Sequence, residues 1–429
     1  MFNTQVSHPM KRRNFLSKAS TLTAAATLPL SDVFALVNKQ VEQNQSAEKN
    51  YDVIVLGVGS MGSSTCYHLA KQGVSVLGIE QFDIPHELGS HAGQTRMIRK
   101  AYSEHPDYVP LLQRAYQNWR SLEAESGAEL YFKTGILYNG KKDHPDITGV
   151  RKSASLYAIE IKDVSPGELS AKYPQFKIPS NYQTVMEPDA GFVTPERAIL
   201  TFTERALQLG AAIHTKEKTL EWKRNGGTIT VTTNKSSYQC KKLIITAGPW
   251  AGKMIPGLAG NLKVTRQMLA WVKPKNWKAF ELGTFPCWSI ADESQPGTFY
   301  GFPILPPAKF GGPVGLKLAH HFHGVVSDPD NLNRVPAPED ESILVNFMNK
   351  FIPEGYESTH VMKTCMYTNT PDENFILDFL PDYNEDVMVA AGFSGHGFKF
   401  SSVVGEIMSD LATKGKTSQP IGFLNAGRF

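Results

Sequence analysis

The segment Tyr51–Glu80 constrains the fold more than any other part of the chain. It reads YDVIVLGVGSMGSSTCYHLAKQGVSVLGIE, which predicts an apolar strand, a glycine-rich turn, a helix and a second strand. Gly57, Gly59 and Gly62 fit the pattern G-x-G-x-x-G: the first glycine permits a tight turn, the second lets a pyrophosphate approach the backbone, and the third lets the helix pack closely on the strand. Because the helix begins with free N–H groups and the positive end of its dipole, the segment predicts a Rossmann-like, dinucleotide-binding domain.

Glu80 closes the second strand about twenty residues after Gly57, where dinucleotide-binding folds carry the carboxylate that binds ribose. A carboxylate here favours a free ribose hydroxyl over a 2′-phosphate, which leaves NAD or FAD, and the motif does not choose between them. The alternative is a glycine-rich turn in some other α/β protein. We favour dinucleotide binding because the strand, the helix and the terminal acid all fall in register with the three glycines.

The composition is that of an ordinary globular protein. With 429 residues, 41% of them hydrophobic and 20% charged, the chain is long enough for two domains. The net charge is only +3 and no basic block is interleaved with aromatic residues, so we expect no nucleic-acid partner. Beyond the N-terminus no apolar run reaches the roughly eighteen residues that span a bilayer. The four cysteines, Cys66, Cys240, Cys287 and Cys365, include no C-x-x-C pair, which argues against a zinc site and a dense disulfide framework.

Residues 1–35 differ from the rest of the chain. Lys11–Lys18 reads KRRNFLSK and precedes a small apolar stretch, a pattern that resembles a twin-arginine export signal, with a cleavage point after Val33-Phe34-Ala35. The polar residues 36–50 would then be a linker, and the protein would be exported to the periplasm or cell envelope. The alternative is a basic tail ahead of a short helix.

The remaining segments switch between two kinds of pattern. Tyr108–Ser126 and Pro195–Leu209 have helical spacing, whereas Thr228–Thr233 and Ser237–Thr246 are rich in β-formers. The aromatic stretch 264–326 predicts a mainly antiparallel sheet that carries a substrate pocket. We therefore predict an α/β (α+β) fold in which a Rossmann-like nucleotide-binding domain (51–130, 190–262 and 360–429) is interleaved with a mainly antiparallel substrate domain (131–189 and 263–359).

Two further places are candidates for contact with a cofactor or an anionic substrate. Arg96 and Arg99 lie in the loop that leaves the C-terminal edge of the second strand, where doubly wound sheets bind ligands, and a helix would place both on one face. A solvated, basic helix start is the alternative. The β-rich run that ends at Thr246-Ala247-Gly248 suggests another close approach of backbone to cofactor at Gly248, with a simple tight turn as the alternative.

Five motifs identify a family. They are GSHAGQTRMIRKAY from Gly89, YGFP from Tyr300, GLKLAHH from Gly315, CMYTNTPDENFILD from Cys365 and GFSGHGFKFSS from Gly392. Together with the N-terminal fingerprint they resemble monomeric sarcosine oxidase and N-methyltryptophan oxidase, over the whole chain from about Tyr51. The resemblance implies a monomeric amine oxidase with FAD bound covalently through Cys365. It also implies oxidation of an N-methyl amino acid by O₂ to the free amine, formaldehyde and H₂O₂, with sarcosine as the first guess and N-methyltryptophan as the second.

The same resemblance implies roles for single residues. Lys317 would activate oxygen, Arg99 and Lys399 would bind the substrate carboxylate, and Arg96 and His396 would lie near the flavin. The residues around the amine and the reacting methyl group would be Tyr300, His321 and Tyr367. The expected cofactor contacts are Gly57, Gly59, Gly62, Glu80, Gly248, Cys365, Gly395, Gly397, Phe398 and Lys399.

A metal site at His321 is also conceivable, with His320 and His323 as fellow ligands. Adjacent residues on a strand point to opposite faces and no carboxylate partner is evident, so we expect no metal.

The chain also departs from the family pattern. Relatives usually show GSHHGDTR and DEHF, where this chain has Ala92, Gln94 and Asn374, so the pH dependence need not carry over. The proline-rich segment Ile304–Gly315 leaves the size of the substrate open, and a glycated or cyclic amino acid is an alternative. Two competing hypotheses are a dehydrogenase that passes electrons to a quinone, against which Lys317 argues, and a flavoprotein without turnover.

Overall fold

The computed structural model describes residues 28–429, which form two large β-sheets, one small sheet and ten helices of α type. The predicted twin-arginine segment, Lys11–Lys18, lies outside the described residues. The helices are α1 (Leu30–Gln43), α2 (Ser60–Lys71), α3 (Tyr108–Ser126), α4 (Pro145–Tyr157), α5 (Pro166–Lys172), α6 (Pro195–Gln208), α7 (Ala251–Met254), α8 (Pro307–Phe310), α9 (Pro338–Phe351) and α10 (Ser401–Lys414).

The strands follow the same chain order. They are β1 (Asn50–Leu56), β2 (Val76–Ile79), β3 (Arg96–Ile98), β4 (Tyr131–Lys133), β5 (Ile136–Lys141), β6 (Lys162–Val164), β7 (Tyr182–Glu187), β8 (Gly191–Val193), β9 (Ala212–His214), β10 (Thr219–Asn225), β11 (Thr228–Thr233), β12 (Ser237–Ile245), β13 (Lys263–Lys273), β14 (Cys287–Ala291), β15 (Thr298–Phe302), β16 (Leu316–His321), β17 (Val325–Val326), β18 (Ser358–Asn369), β19 (Ile376–Phe379) and β20 (Val387–Ala391).

The first large sheet is the predicted Rossmann-like one. Its centre is parallel, in the order β9, β2, β1, β12 and β20, while β10, β11 and β19 add antiparallel partners at one side. Strands β1, β2 and β20 are buried almost throughout, as expected for parallel strands covered on both faces. Helix α2 packs against α10 so closely that a Cβ on Gly405 would lie 2.1 Å from the Ser64 hydroxyl oxygen. This packing fixes the direction of α2 and aims its N-terminus at the glycine-rich turn.

The second large sheet is mainly antiparallel, as predicted. Strand β18 pairs with one edge of β13, and β17 and β16 pair with different parts of its other edge. From β16 the sheet continues in the order β15, β14, β5, β7 and β6, and only the β14–β5 pair is parallel. Helix α9 covers one face, where Phe347 stacks on Trp288 and Phe299. Strand β18 pairs with β13 along most of its length, so the domain boundary predicted at residue 360 falls inside a strand of this sheet.

Helix α1 (Leu30–Gln43) covers the end of the predicted signal, residues 1–35, and the start of the predicted linker, residues 36–50. Val33, Val37 and Val41 recur every four residues and are buried in the core shared with α6 and β9, which is why this segment is helical. The predicted cleavage point after Ala35 therefore lies within a helix, and residues 36–43 are not an extended tether. None of the helices in residues 28–429 has the length and apolar character of a bilayer span.

Candidate active site

The glycine-rich turn between β1 and α2 has the geometry of a pyrophosphate cradle. Gly57 has φ of +89°, and a Cβ there would lie 2.7 Å from the carbonyl oxygen of Thr246. A Cβ on Gly62 would lie 1.8 Å from the carbonyl oxygen of Gly57, so any larger residue would push helix and turn apart. Gly59 forms the N-cap of α2, whose free N–H groups face this turn. These residues fit a dinucleotide diphosphate at the start of α2.

Glu80 fits the ribose end of such a cofactor. Its carboxylate lies at the end of β2 and accepts hydrogen bonds from the backbone N–H groups of Val58 and Phe82, at 2.9 and 3.1 Å. Burial raises its pKa to about 7, against the effect of these hydrogen bonds. Nearby, the Nε2 atom of His91 is buried without a hydrogen-bond partner in the described part of the chain, and His91 lines the same cavity. An unsatisfied buried nitrogen here is consistent with a polar ligand in that cavity.

A cavity of about 600 Å³ extends from this cradle to the second sheet. Most of the residues predicted for the site line it: Gly57, Gly59, Glu80, Arg96, Arg99, Gly248, Tyr300, His321, Tyr367, Gly395, His396, Gly397, Phe398 and Lys399. Gly62, Lys317 and Cys365 lie behind its wall. Motifs separated by more than three hundred residues of sequence are thus brought to one place.

Arg99 and Lys399 both line the cavity, and both approach the ring of the buried Tyr102. The guanidinium carbon of Arg99 lies 4.5 Å from the centre of the Tyr102 ring and the Lys399 ammonium lies 5.2 Å from it. Burial, and next the charge of Arg99, lower the pKa of Lys399 to about 7, while Glu104 opposes the shift. Glu104 forms an ion pair with Arg99. Two basic side chains and one carboxylate therefore lie close together in the lining of the cavity.

A cluster of Tyr300, His321 and Tyr367 also lines the cavity. The Nδ1 atom of His321 lies 3.1 Å from the Tyr367 hydroxyl. Burial disfavours the charged form of each group. It is the main reason why the pKa of His321 is lowered to about 4 and why the pKa values of Tyr300 and Tyr367 are raised. All three side chains are therefore neutral near pH 7 and can exchange hydrogen bonds with an uncharged amine.

His320, next to His321 on β16, points the other way, stacks on Phe299 and Phe322, and hydrogen-bonds the carbonyl oxygen of Pro296. The two histidines face different surroundings, as predicted from strand geometry. Within residues 28–429 no three His, Cys, Asp or Glu side chains are placed to share a metal ion.

Lys317 is buried on β16 and bound by the turn that precedes β3. Its ammonium donates to the carbonyl oxygens of Gly93 and Thr95 and to the Thr95 hydroxyl, the last two at 2.9 and 3.0 Å. The ring of Phe302 lies 4.8 Å from the ammonium. Burial, followed by the charge of Arg96, lowers the Lys317 pKa well below its usual value.

Arg96 connects Lys317, Cys365 and the cavity. Its guanidinium donates to the carbonyl oxygens of Ser90, Ala92 and Thr95, at 2.6 to 3.0 Å. The Cys365 sulfur lies 3.7 Å from its Nη2 atom and 3.5 Å from the Ser90 carbonyl oxygen. The thiol is therefore beside a cation and directly behind the cavity wall.

The prediction that a helix carries Arg96 and Arg99 is wrong, because Arg96–Ile98 forms the short strand β3, which pairs with β8. Arg99 lies just after the end of β3, and its side chain lines the cavity.

Sequence reasoning also missed several residues of the site. Glu104 was not a candidate, although it follows Arg99 by five positions and lies two residues after the motif GSHAGQTRMIRKAY. Glu196 lies in the first turn of α6, far along the chain, and its carboxylate holds the turn at Gly93 and Gln94. Only the position of an acid just after Thr194-Pro195, typical of a helix start, could have drawn attention to Glu196.

Gln94, one of the departures, has a clear structural role. Its Oε1 accepts from the indole N–H of Trp271 at 2.7 Å, and its Nε2 donates to the carbonyl oxygen of Gly311. It thereby ties the proline-rich segment Ile304–Gly315 to the turn that binds Lys317. Asn374 also lines the cavity, with its amide donating to the Asp372 carbonyl oxygen.

Comparisons with known proteins identify the family of this chain. A family model described as FAD dependent oxidoreductase matches residues 52–411. Monomeric sarcosine oxidase of Bacillus sp. (strain NS-129) is 37% identical over 384 residues, which cover 88% of this chain and 97% of that protein. N-methyl-L-tryptophan oxidase of Yersinia pestis (strain Pestoides F) is 31% identical over 383 residues, covering 89% and 100%. Among solved structures, the open form of NikD, an amino acid oxidase, superposes with a TM-score of 0.77 over 88% of this chain and 97% of that one, at 23% identity, which shows the fold alone.

Proposed function

Because this chain belongs to the FAD dependent oxidoreductase family, in the group of monomeric sarcosine oxidase, we propose that it oxidises a secondary, N-methylated amino acid with O₂ as the acceptor. For a substrate R–NH–CH₃, the overall reaction with O₂ and water yields R–NH₂, formaldehyde and H₂O₂. Sarcosine is the first candidate and N-methyl-L-tryptophan the second, since relatives named for each substrate cover most of this chain. FAD, when bound, supplies the two-electron chemistry of both half-reactions.

The observation that carries the proposal is the pair of basic side chains, Arg99 and Lys399, in the lining of the cavity. Arg99 and Lys399 approach the same aromatic ring from positions far apart in sequence. A guanidinium together with an ammonium fixes a carboxylate in both direction and charge. Such a pair supports an amino acid rather than a simple amine as the substrate.

The Tyr300, His321 and Tyr367 cluster supports the second half of the recognition. An amine must present its free lone pair to be oxidised, and a site of neutral groups favours the uncharged amine over the ammonium. His321, with a pKa of about 4, stays neutral at physiological pH and can hydrogen-bond the substrate N–H.

Lys317 and Cys365 support two finer parts of the proposal. A buried ammonium stabilises the negative charge that develops when oxygen accepts an electron, which favours O₂ as the acceptor and H₂O₂ as the product. The Cys365 thiol, beside Arg96, is proposed as the point of covalent FAD attachment, since a thiolate is the reactive form of cysteine.

We also propose that the enzyme is a monomer exported by the twin-arginine route. The monomeric state is suggested by the names of the relatives, and the route by the sequence KRRNFLSK. Replacing Arg12 and Arg13 by lysine should leave active enzyme in the cytoplasm, whereas unchanged export of that variant would contradict the signal.

A panel of amines assayed for peroxide tests the function directly. We expect sarcosine or N-methyl-L-tryptophan to give amine-dependent H₂O₂ and formaldehyde, and dimethylamine, which lacks the carboxylate, to react at least about a hundredfold more slowly because it forgoes the charged contact. Flavin reduction without peroxide would indicate a dehydrogenase instead. Equal rates with and without the carboxylate would remove the roles of Arg99 and Lys399.

A further inference from the structure

The turn that binds Lys317 has an unusual backbone. Gly93 has φ of +117° and Gln94 has φ of +64°, so two consecutive residues lie in the left-handed region. The positive φ of Gly93 favours glycine, and a Cβ there would also lie 2.6 Å from the end of the Leu269 side chain. The successive N–H groups of Gly93 and Gln94 point to the same side of this turn and form a small concave site for an anion.

The anion in that concave site is the carboxylate of Glu196. Its Oε1 accepts the N–H of Gly93 at 2.6 Å and the N–H of Gln94 at 3.1 Å. No lysine, arginine or histidine in residues 28–429 lies within ion-pair distance of it. Glu196 is in the first turn of α6, where the helix dipole also favours a negative charge.

The two peptide groups whose N–H groups bind Glu196 also accept hydrogen bonds, through their carbonyl oxygens, from Lys317 and Arg96. The peptide group between Gly93 and Gln94 donates its N–H to Glu196 and accepts the Lys317 ammonium at its carbonyl oxygen. The preceding peptide group, between Ala92 and Gly93, donates its N–H to Glu196 and accepts the Arg96 guanidinium at its carbonyl oxygen, at 2.6 Å. Each peptide dipole thus lies between a carboxylate and a cation, in the orientation that both charges favour. Hydrogen bonds in such a chain polarise and strengthen one another.

We propose that Glu196 is a positioning residue for the reaction with oxygen, which acts through these two peptide groups to orient Lys317 and Arg96 and to keep Lys317 cationic. It does not touch the cavity, so its effect is carried by the turn. The inference rests on the proposed reaction with O₂.

Charge and geometry can be separated by two substitutions. Glu196→Gln keeps the length and one acceptor oxygen but removes the charge, whereas Glu196→Asp keeps the charge but shortens the reach. The other ionisable side chains around Lys317 are Arg96, whose charge opposes that of Lys317, the Cys287 thiol, and Cys365 where it is not linked to the flavin. Without the carboxylate, Arg96 is the dominant neighbour, so Lys317 should lose its proton at a lower pH.

The test measures reoxidation by O₂ of flavin that has been reduced with dithionite, as a function of pH, in the purified holoenzyme. In Glu196→Gln we expect the pH above which the rate falls to move down by about one unit, which makes reoxidation about tenfold slower on the alkaline side. Glu196→Asp should keep the position of the profile and lower the rate at every pH. Glu204→Gln, a buried glutamate of the same helix that does not touch the turn, is the matched control and should behave as wild type.

A second readout does not depend on turnover. The absorbance spectrum of the oxidised flavin, titrated with base, should show a transition that is absent in Lys317→Met and that shifts to lower pH in Glu196→Gln. Because dithionite replaces the amine, failure to find an amine substrate leaves this test intact. Slow reoxidation of the wild type would refute the oxidase and with it the role of Glu196 in the oxygen reaction, whereas a normal wild-type rate with no effect of Glu196→Gln would refute the role of Glu196 alone. An unshifted titration and pH profile in Glu196→Gln would overturn the inference, as would equal losses in flavin reduction and reoxidation together with a lower melting temperature.

Discussion

Arg99 is paired with Glu104, with 2.5 Å between its Nη2 atom and the Glu104 carboxylate. Burial raises the pKa of Glu104, but the charges of Arg99, His396 and Lys399 outweigh it and hold that pKa well below its usual value. The protein therefore places a carboxylate of its own on the guanidinium that we propose for the substrate.

Glu104→Gln should strengthen the binding of small carboxylates. Glu104 and a ligand compete for Arg99, so removal of its charge should lower the Kd of acetate by about tenfold, equivalent to about 1.4 kcal/mol. Titration of the flavin absorbance measures this, with Asp107→Asn, an exposed acid of the same segment, as the control. Weaker binding in Glu104→Gln would show that Glu104 orients Arg99 rather than competing for it.

Binding of a carboxylate should take up a proton at Lys399. The pKa of Lys399 is lowered to about 7, so above that pH the free enzyme holds a neutral amine, and a bound anion favours its charged form. We expect the Kd to be constant below about pH 7 and to rise up to tenfold per pH unit above it. Calorimetry at about pH 8 in two buffers of different ionisation enthalpy measures the uptake. Lys399→Met should abolish it, and equal heats for wild type in both buffers would contradict the assignment.

Substitutions of Lys317 and of Arg99 should impair different half-reactions of the enzyme. Lys317→Met should slow reoxidation by O₂ about a thousandfold, equivalent to about 4 kcal/mol, and leave anaerobic reduction by substrate within about tenfold. Arg99→Met should weaken substrate binding and reduction by about 2 to 5 kcal/mol and spare reoxidation. Stopped-flow absorbance separates the two steps. If Lys317→Met instead impaired reduction alone, the oxygen role would have to be abandoned.

Cys365 should retain the flavin after denaturation. Protein precipitated with acid should stay yellow in the wild type and in Cys287→Ser, a second buried cysteine, whereas Cys365→Ser should give a colourless pellet. A colourless wild-type pellet would show that the cofactor is not covalently bound.

Local patterns in the sequence predicted the first sheet and several helices well. Tyr108–Ser126 was predicted with the bounds that α3 has, because its apolar residues recur with helical period and Gly127 ends it. Helix α1 was missed because only three valines, Val33, Val37 and Val41, mark its buried side, among polar residues that suggested a linker. Such a short amphipathic pattern predicts a helix only when the apolar surface that it would cover is known.

The site shows the same limit. Motifs predicted the residues that face the cavity, because cofactor contacts recur in short, distinctive runs such as GFSGHGFKFSS. They did not predict Glu196, since the partner of a backbone N–H leaves no pattern in sequence and lies about a hundred positions from the turn that it holds. Residues that act through the backbone are found by tracing hydrogen bonds.

Helix α1 bears on how this enzyme can be produced and matured. The family match begins only at residue 52, yet the surface beneath Val33, Val37 and Val41 is part of the main core, and Asn38 and Arg197 hydrogen-bond the chain across this contact. A recombinant chain trimmed to residue 50 would expose that apolar surface, and we expect it to aggregate at concentrations at which a chain beginning at residue 28 stays dispersed. Removal of a leader after Ala35 would shorten the same helix before it reaches Val37. The N-terminal residue of the mature protein, read by mass spectrometry, should therefore lie upstream of Leu28.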